Sequence, residues 1–518
     1  MKKFIFSIIT LFSGTMAFSQ FGTDVIIKNA TTIDQRNVNV SAAFNGWLYS
    51  AFTTLDSANN EGGITIMKSV DKGTTWQVLD MYTSPNIRYE DVEIEVAGLD
   101  TSNLKLFVLG LRHDLGGSYR AFMDVYNATT DNFITGSVFS YDAEVNRIYD
   151  LDLATDYRIP ALGASPYSVG ILLTRYTSLQ DSLLFFGSID GGLSFTVRQT
   201  VATTGTYFGK NSLAFGRSTS GSNGRYFAAW EQKNDSASRT GHIYTSRNAS
   251  TVDGVWTSPI CLDSLSSTMI NLCRNPRIAS SATTGDNDSG SVTSIVLVDR
   301  DYLGNASDYD LLGFANERSH FTSFWYRIDV VNTGENDIQP DIVFDTDSNM
   351  FRATYFDSTN FKLTYISNDW NLANPSTWTT EVSQYNDVAP GTNPYPRLAY
   401  SPLEKGIAAA WTKKGTGTNG VAMFDSDYTA IYIGIDEQND LTLDISTYPN
   451  PTTDILNIHV AGTTEAKLQV LNEYGSAVQV HQIFGEQQII SLAGLANGIY
   501  LLQFEINGKT ITQKIIKN

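Results

Sequence analysis

Two cysteines, Cys261 and Cys273, and five histidines are all that 518 residues contain of the usual metal-binding and cross-linking side chains. At most one disulfide, Cys261 to Cys273, is therefore available, and two cysteines alone do not specify its geometry. The histidines are scattered without the short spacing of a zinc site, so neither a metal nor a cofactor is expected. Basic residues are also scarce: 35 Lys and Arg stand against 54 Asp and Glu, a formal charge of −19. Nucleic acid needs a basic face and is excluded as a partner. Such an acidic surface favours a soluble, monomeric chain. Long helical periodicity is missing throughout, and beyond the first twenty residues no apolar run is long enough to span a bilayer.

What is present leans β, with abundant Tyr, Phe, Thr, Ser and Gly. The opening "MKKFIFSIITLFSGTMAFSQ" joins two lysines, an apolar stretch from Phe4 to Phe12 and small residues at Ala17 and Ser19. That pattern predicts a signal peptide over residues 1–19 and an exported chain, in a compartment where the Cys261–Cys273 bridge is permitted.

Two stretches share one local design. "SVDKGTTW" (Ser69, Asp71, Gly73, Trp76) and "SIDGGLSF" (Ser188, Asp190, Gly192, Phe195) each sit between strand-like runs. In each, the aspartate can accept backbone N–H bonds across a turn, the glycine supplies positive φ, and the aromatic opens the next strand. The pair resembles the Asp-box, or BNR repeat, of sialidase-like β-propellers. Their separation, about twice sixty residues, implies a period near sixty. Weaker equivalents end at Phe133, Trp256, Phe324, Trp378 and Tyr428. Each unit also holds a short strand beginning with a polar residue, followed by an apolar one, so that a unit has four strands. The expected architecture is all-β: a propeller of seven four-stranded blades over residues 21–437, followed by a small β-sandwich. Six and eight blades are the neighbouring counts, because the fifth unit is long and poorly marked. Residues 24–34 are expected to add a strand that closes the ring against the last blade.

The polar residues opening the first strands are Asn39, Asp91, Asp150, Ser212, Arg277, Asp341 and Arg397. In a propeller they converge on one face of the central channel. Asp91, Asp150, Arg277, Asp341 and Arg397 are thus the candidate ligand-binding residues for a polar or anionic glycan, or for a surface protein. The other reading is that these charges simply pair with one another at strand ends. "YRIP" at Tyr157 to Pro160 resembles the first-arginine motif of sialidases, which carries over Arg158 alone. A box already precedes it, and no tyrosine and glutamate pair can be assigned among many tyrosines. The expectation is a non-catalytic binding or adhesion module, with a sialidase-like glycoside hydrolase as the alternative. "DNDSG" from Asp286 and "DTDSN" from Asp345 have the alternating carboxylates of calcium loops, but read first as hairpin turns.

The character changes at "TYPNPTTDILNIHV". Tyr448, Pro449, Asn450 and Pro451, then "LNI", "VLNEYG" and "ISLAGLANGIYLL", end in a strand bearing Lys514 and Lys517. This order resembles the type A C-terminal sorting domain of the type IX secretion system, an Ig-like sandwich over residues 438–518. The resemblance implies the type IX machinery as a partner and a destination outside the cell or on the outer-membrane surface.

Overall fold

Short apolar runs such as Leu48–Asp56 and Lys105–Asp114 are separated by Gly, Asn and Asp turns, and each pairs with its neighbour in sequence. The computed structural model describes residues 21–518 outside 30–31, 99–103, 144–146, 157–167, 178–179, 205–206, 218–223, 236, 249–251, 266–272, 282–291, 302–307, 320–322, 370–377, 416, 429–444, 461–464, 473–476, 486 and 507–508. It divides into two compact units, Met1–Thr429 and Ala430–Asn518.

The first unit holds seven four-stranded antiparallel sheets. Six are built from consecutive strands, with innermost strands Asp34–Ala42, Ile87–Ala97, Ile148–Thr155, Tyr207–Gly216, Cys273–Ser280 and Asp337–Asp345. The seventh starts at Arg397–Ser401 and takes its outer strand, Val25–Ile26, from the other end of the chain. Val25 pairs with Phe424 and Ile26 with Met423. Each innermost strand lies beside the next, and the last returns to the first, so the sheets form a closed seven-bladed propeller. The closing strand and the seven units match the expectation from sequence.

Because sheets stack face to face around the ring, their middle strands are apolar on both sides. Ser294–Asp301 and Tyr309–Asn316 are buried along their whole length. Each interface between neighbouring blades has its own apolar cluster. Phe52 and Phe424, for example, join blades 1 and 7.

The two Ser-x-Asp turns connect third and fourth strands of blades 1 and 3 through the same bonds. The Asp71 carboxylate accepts from Thr75 N (2.9 Å) and Thr75 Oγ1 (2.6 Å), and Ser69 Oγ accepts from Gly73 N at 2.9 Å. Asp190 repeats this with Ser194 N (2.9 Å) and Ser194 Oγ (2.7 Å), and Ser188 Oγ with Gly192 N at 2.9 Å. Gly73 has φ +87°, and a Cβ there would stand 2.0 Å from the Phe424 ring of blade 7. Gly192, at φ +80°, would meet Phe107 of blade 2 at 2.2 Å. Trp76 packs edge-on against Phe424 and Phe195 against Phe139. These turns therefore clasp neighbouring blades.

Burial pushes the Asp71 and Asp190 carboxyls up, but the bonds they accept outweigh it and hold both below the ordinary 3.8. Their stabilisation is complete above 3.8 and lost as the pH falls through the lowered value. Asp71→Ala and Asp190→Ala should each lower stability by about 1–2 kcal/mol in denaturant unfolding, without loss of ligand binding. Unchanged stability with lost binding would put the turns in the ligand site.

The second unit packs Ile445–Tyr448, Ile455–Val460 and Gln487–Ser491 as one sheet, and Ala477–Phe484, Glu465–Leu471, Gly498–Ile506 and Lys509–Lys517 as another. Leu456, Ile458 and Val460 from one sheet meet Leu468, Val470, Leu502 and Phe504 from the other in a separate core. The Tyr448 to Pro451 motif is tied to the final strand: Asn450 Nδ2 donates to Lys514 O (3.0 Å), and Asn450 Oδ1 accepts from Ile516 N (2.9 Å).

Candidate functional site at the channel mouth

Six of the seven innermost strands carry a register shift at their start, ending at Asn39, Asp91, Asp150, Asn211, Arg277 and Asp341. Such a bulge re-aims the following side chain. Asn275, Gln339 and Tyr395 lie just before a proline yet take φ of 52°, 56° and 45°, and Asn37 takes 51° in blade 1. A residue before proline normally stays extended, so the surrounding ring holds these positions away from their preference. The result is convergence. Asn39, Asp91, Lys210, Arg277 and Arg397 line one pocket of about 160 Å³ with Asn275, Gln339 and Tyr395.

Of the five predicted ligand residues, Asp91, Arg277 and Arg397 line this pocket, while Asp150 and Asp341 do not line it and instead stand beside its cations and accept from backbone. Arg397 donates to Glu93 at 2.9 Å and stands 3.7 Å from Asp341. Arg277 lies 3.8 Å from Asp341, and Lys210 sits 2.5 Å from Asp150 and 3.9 Å from Asp91. Several of these side chains also hold the ring. Asp150 Oδ2 accepts Asn211 N from blade 4, and Asp341 Oδ2 accepts Leu398 N from blade 7, each at 2.7 Å. Ser212 Oγ accepts Ile278 N at 3.3 Å. Innermost strands do not pair with each other, so these side chains satisfy N–H groups that no sheet reaches.

Sequence reasoning missed Glu93, Glu95, Asp152 and Lys210. The signal was there: "DVEIE" and "DLDL" place acids at every second residue, on the one face that points into the channel. Burial raises the Glu93 carboxyl against the pull of Arg397, and pushes Glu95 up to about 8 with only partial relief from a Ser41 hydrogen bond. Asp91 and Asp152 are raised for the same reason, opposed by Lys210 and by Arg277 respectively. Burial lowers Lys210, but Asp150 and Asp91 outweigh it and raise its ammonium.

A neighbouring hollow of about 430 Å³ shares Lys210, Asn275, Gln339 and Tyr395 with the mouth and adds Tyr149, Tyr207, Arg274 and Asn393. Asp299 organises its wall, accepting from Arg274 Nε (3.0 Å), Asn275 Nδ2 (2.7 Å) and Gln339 N (2.8 Å).

Arg158 and the "YRIP" motif, like "DNDSG", lie outside the described residues. "DTDSN" forms a hairpin turn in which Asp345 Oδ1 accepts Asp347 N and Ser348 N at 3.0 Å each, with Arg352 on the other oxygen at 3.0 Å. The Cys261–Cys273 bridge that the sequence left open is not formed in this structure, where both cysteines are free. Cys273 is enclosed in the apolar cluster between blades 4 and 5, while Cys261 Sγ donates to Asp263 at 3.1 Å.

Residues 446–518 match the family model described as "Secretion system C-terminal sorting domain". The chain is thus a β-propeller carrying a type IX secretion sorting domain, directed to the extracellular or cell-surface space. No curated protein matches it. Solved structures similar to it include a Dyadobacter fermentans protein of unknown function, at 11% identity over 79% of this chain and 98% of that one (TM-score 0.44). A Penicillium chrysogenum alpha-L-arabinanase complexed with arabinobiose is 11% identical over 78% of this chain and 98% of that one (TM-score 0.41). A Trypanosoma rangeli sialidase is 10% identical over 96% of this chain and 88% of that one (TM-score 0.35).

Proposed function

We propose that the propeller is a monomeric, non-catalytic binding module for oligosaccharides with few or no anionic groups, exported after removal of residues 1–19. Its ligand lies across the channel mouth. The observation that carries this reading is the charge arrangement: Arg397 already has Glu93 at 2.9 Å, and Arg277 has Asp341 at 3.8 Å. An anionic sugar must compete with those carboxylates for the guanidinium groups. Hydroxyl groups can instead be shared between both partners. Tyr149, Tyr207 and Tyr395 line the adjoining hollow as aromatic surface for sugar rings, and Asn275, Gln339 and Asn393 add polar groups beside them.

A glycoside hydrolase is the second reading, favoured by the raised Glu93 carboxyl close to Asp91. A carboxyl kept protonated near neutrality is what a general acid requires. One set of experiments separates the two. The purified chain is applied to an array of neutral and sialylated glycans, and the best binders are followed by calorimetry and by chromatography for released sugar. Neutral glycans should bind without turnover, and Tyr395→Ala and Arg277→Ala should each weaken binding by about tenfold, or about 1.4 kcal/mol. Released sugar would establish the hydrolase. Binding restricted to sialylated glycans, or insensitive to both substitutions, would overturn the proposed mouth.

A further inference from the structure

At the outer edge of blade 4, strand alternation brings three unlike donors to one face. His242 and Tyr244 are two residues apart on His242–Arg247, and Cys261 pairs directly with Tyr244. The chain continues past Cys261 through Leu262, whose N donates to Ile243 O at 2.8 Å, and delivers Asp263 beside His242. His242 Nδ1 and Asp263 Oδ1 are 3.1 Å apart, Cys261 Sγ and Asp263 Oδ1 3.1 Å, and Cys261 Sγ and His242 Nδ1 3.7 Å.

We propose that His242, Cys261 and Asp263 bind a zinc ion. Three observations support it. Zinc bonds of about 2.0–2.3 Å at tetrahedral angles separate donor atoms by about 3.3–3.6 Å, so the cluster needs adjustments of only a few tenths of an ångström. The Asp263 side chain is 8% exposed, and its Oδ2 is buried without a hydrogen-bond partner among the described residues, an unmet polar group beside the cluster. His242 is 30% exposed, which leaves an approach from solvent and room for water as fourth ligand. The mixed nitrogen, sulfur and oxygen set suits zinc and disfavours calcium, which takes oxygen ligands.

The ion has a structural task here. The last strand of blade 4, Ile260–Cys261, pairs through two residues only. A zinc ion joining Cys261 and Asp263 to His242 fastens that short strand where its ladder is thin. Binding replaces the Cys261 thiol proton by the metal, so one proton is released to solvent per ion bound. The histidine spacing in the sequence gives no sign of this site, because Cys261 and Asp263 lie about twenty residues beyond His242, Cys261 at the end of a strand and Asp263 in the turn that follows it.

The test uses the untagged, reduced full chain. Cobalt(II) serves as a spectroscopic stand-in for zinc, and mass spectrometry follows alkylation of Cys261. One Co²⁺ per chain should give a thiolate-to-cobalt charge-transfer band that stoichiometric Zn²⁺ abolishes. Cys261→Ser should lose the band, and His242→Ala and Asp263→Ala should weaken affinity beyond the roughly 10–100-fold typical of outer-shell changes. In the wild-type chain Zn²⁺ should protect Cys261 from alkylation, and Ca²⁺ should not; this readout needs no variant to fold. Absence of the band, its persistence in Cys261→Ser, or an alkylation rate unaffected by Zn²⁺ would overturn the proposal.

Discussion

A chain ending at residue 440, expressed in a host with a type IX system, is expected to fold and remain in the periplasm, with essentially none in the medium. The two halves of this expectation rest on different observations. Folding is spared because, among the described residues, the second unit closes a core of its own from Leu456 to Ile515, and each blade interface of the first unit has its own apolar cluster. Export is lost because the matched sorting domain is removed. Fractionation with immunoblotting gives the location, and protease resistance of the retained protein gives its folding. Truncated protein in the medium would refute the sorting role, while a degraded periplasmic product would show that the propeller depends on its tail.

Replacing Arg397 by Met should destabilise the propeller by about 3–5 kcal/mol at pH 8, the usual cost of removing one member of a buried charge pair. Arg397 is the cation facing Glu93, Asp341, Asp152 and Asp91. Without it their charges have Arg277 and Lys210 as the remaining cations among the described residues. The penalty should shrink at pH 5, because protonated carboxyls no longer need the guanidinium. The wild type has the same sign of dependence. A carboxyl whose folded value exceeds its unfolded one costs nothing below the unfolded value and progressively destabilises the fold as pH rises between the two. For Glu95 that window runs from 4.5 to about 8, and Glu93 shifts in the same direction. Unfolding free energies measured from pH 5 to 8.5 should therefore fall for the wild type and fall more steeply for Arg397→Met. Adding Glu93→Gln should restore part of the loss. A penalty independent of pH, with no rescue by that second change, would mean Arg397 acts through packing alone.

The blades were legible because each repeats a local instruction: an apolar strand, a turn with Asp or Gly, an aromatic opening the next strand. Asp71 and Asp190 act within five residues of themselves, and so could be read locally. The mouth was half legible. Strand openings such as Asp91 and Arg277 could be found by position, but Arg397 meets Glu93 across a separation of 304 residues. No local pattern specifies that partner. The prolines at 276, 340 and 396 were a further unread sign, each preceding or lying beside a residue that aims into the channel. For Cys261 and Cys273, closeness in sequence left open a bridge that this structure does not form.

The join between first and last blades sets an order on folding. Val25 and Ile26 pair with Phe424 and Met423, Gly22 N reaches Asp425, and Phe21 stacks on Tyr385 at 4.6 Å. All of these contacts bridge hundreds of residues, the kind whose loop entropy makes formation slow. A chain emerging from its N-terminus has made its closing strand before any of that strand's partners exist. Until about residue 426 has appeared, blade 1 presents an unfinished apolar face, including Phe52, to whatever surrounds it. The last gap in the ring is therefore its aggregation-prone moment, and a chaperone that holds the N-terminal segment apart would act on the slowest step of assembly.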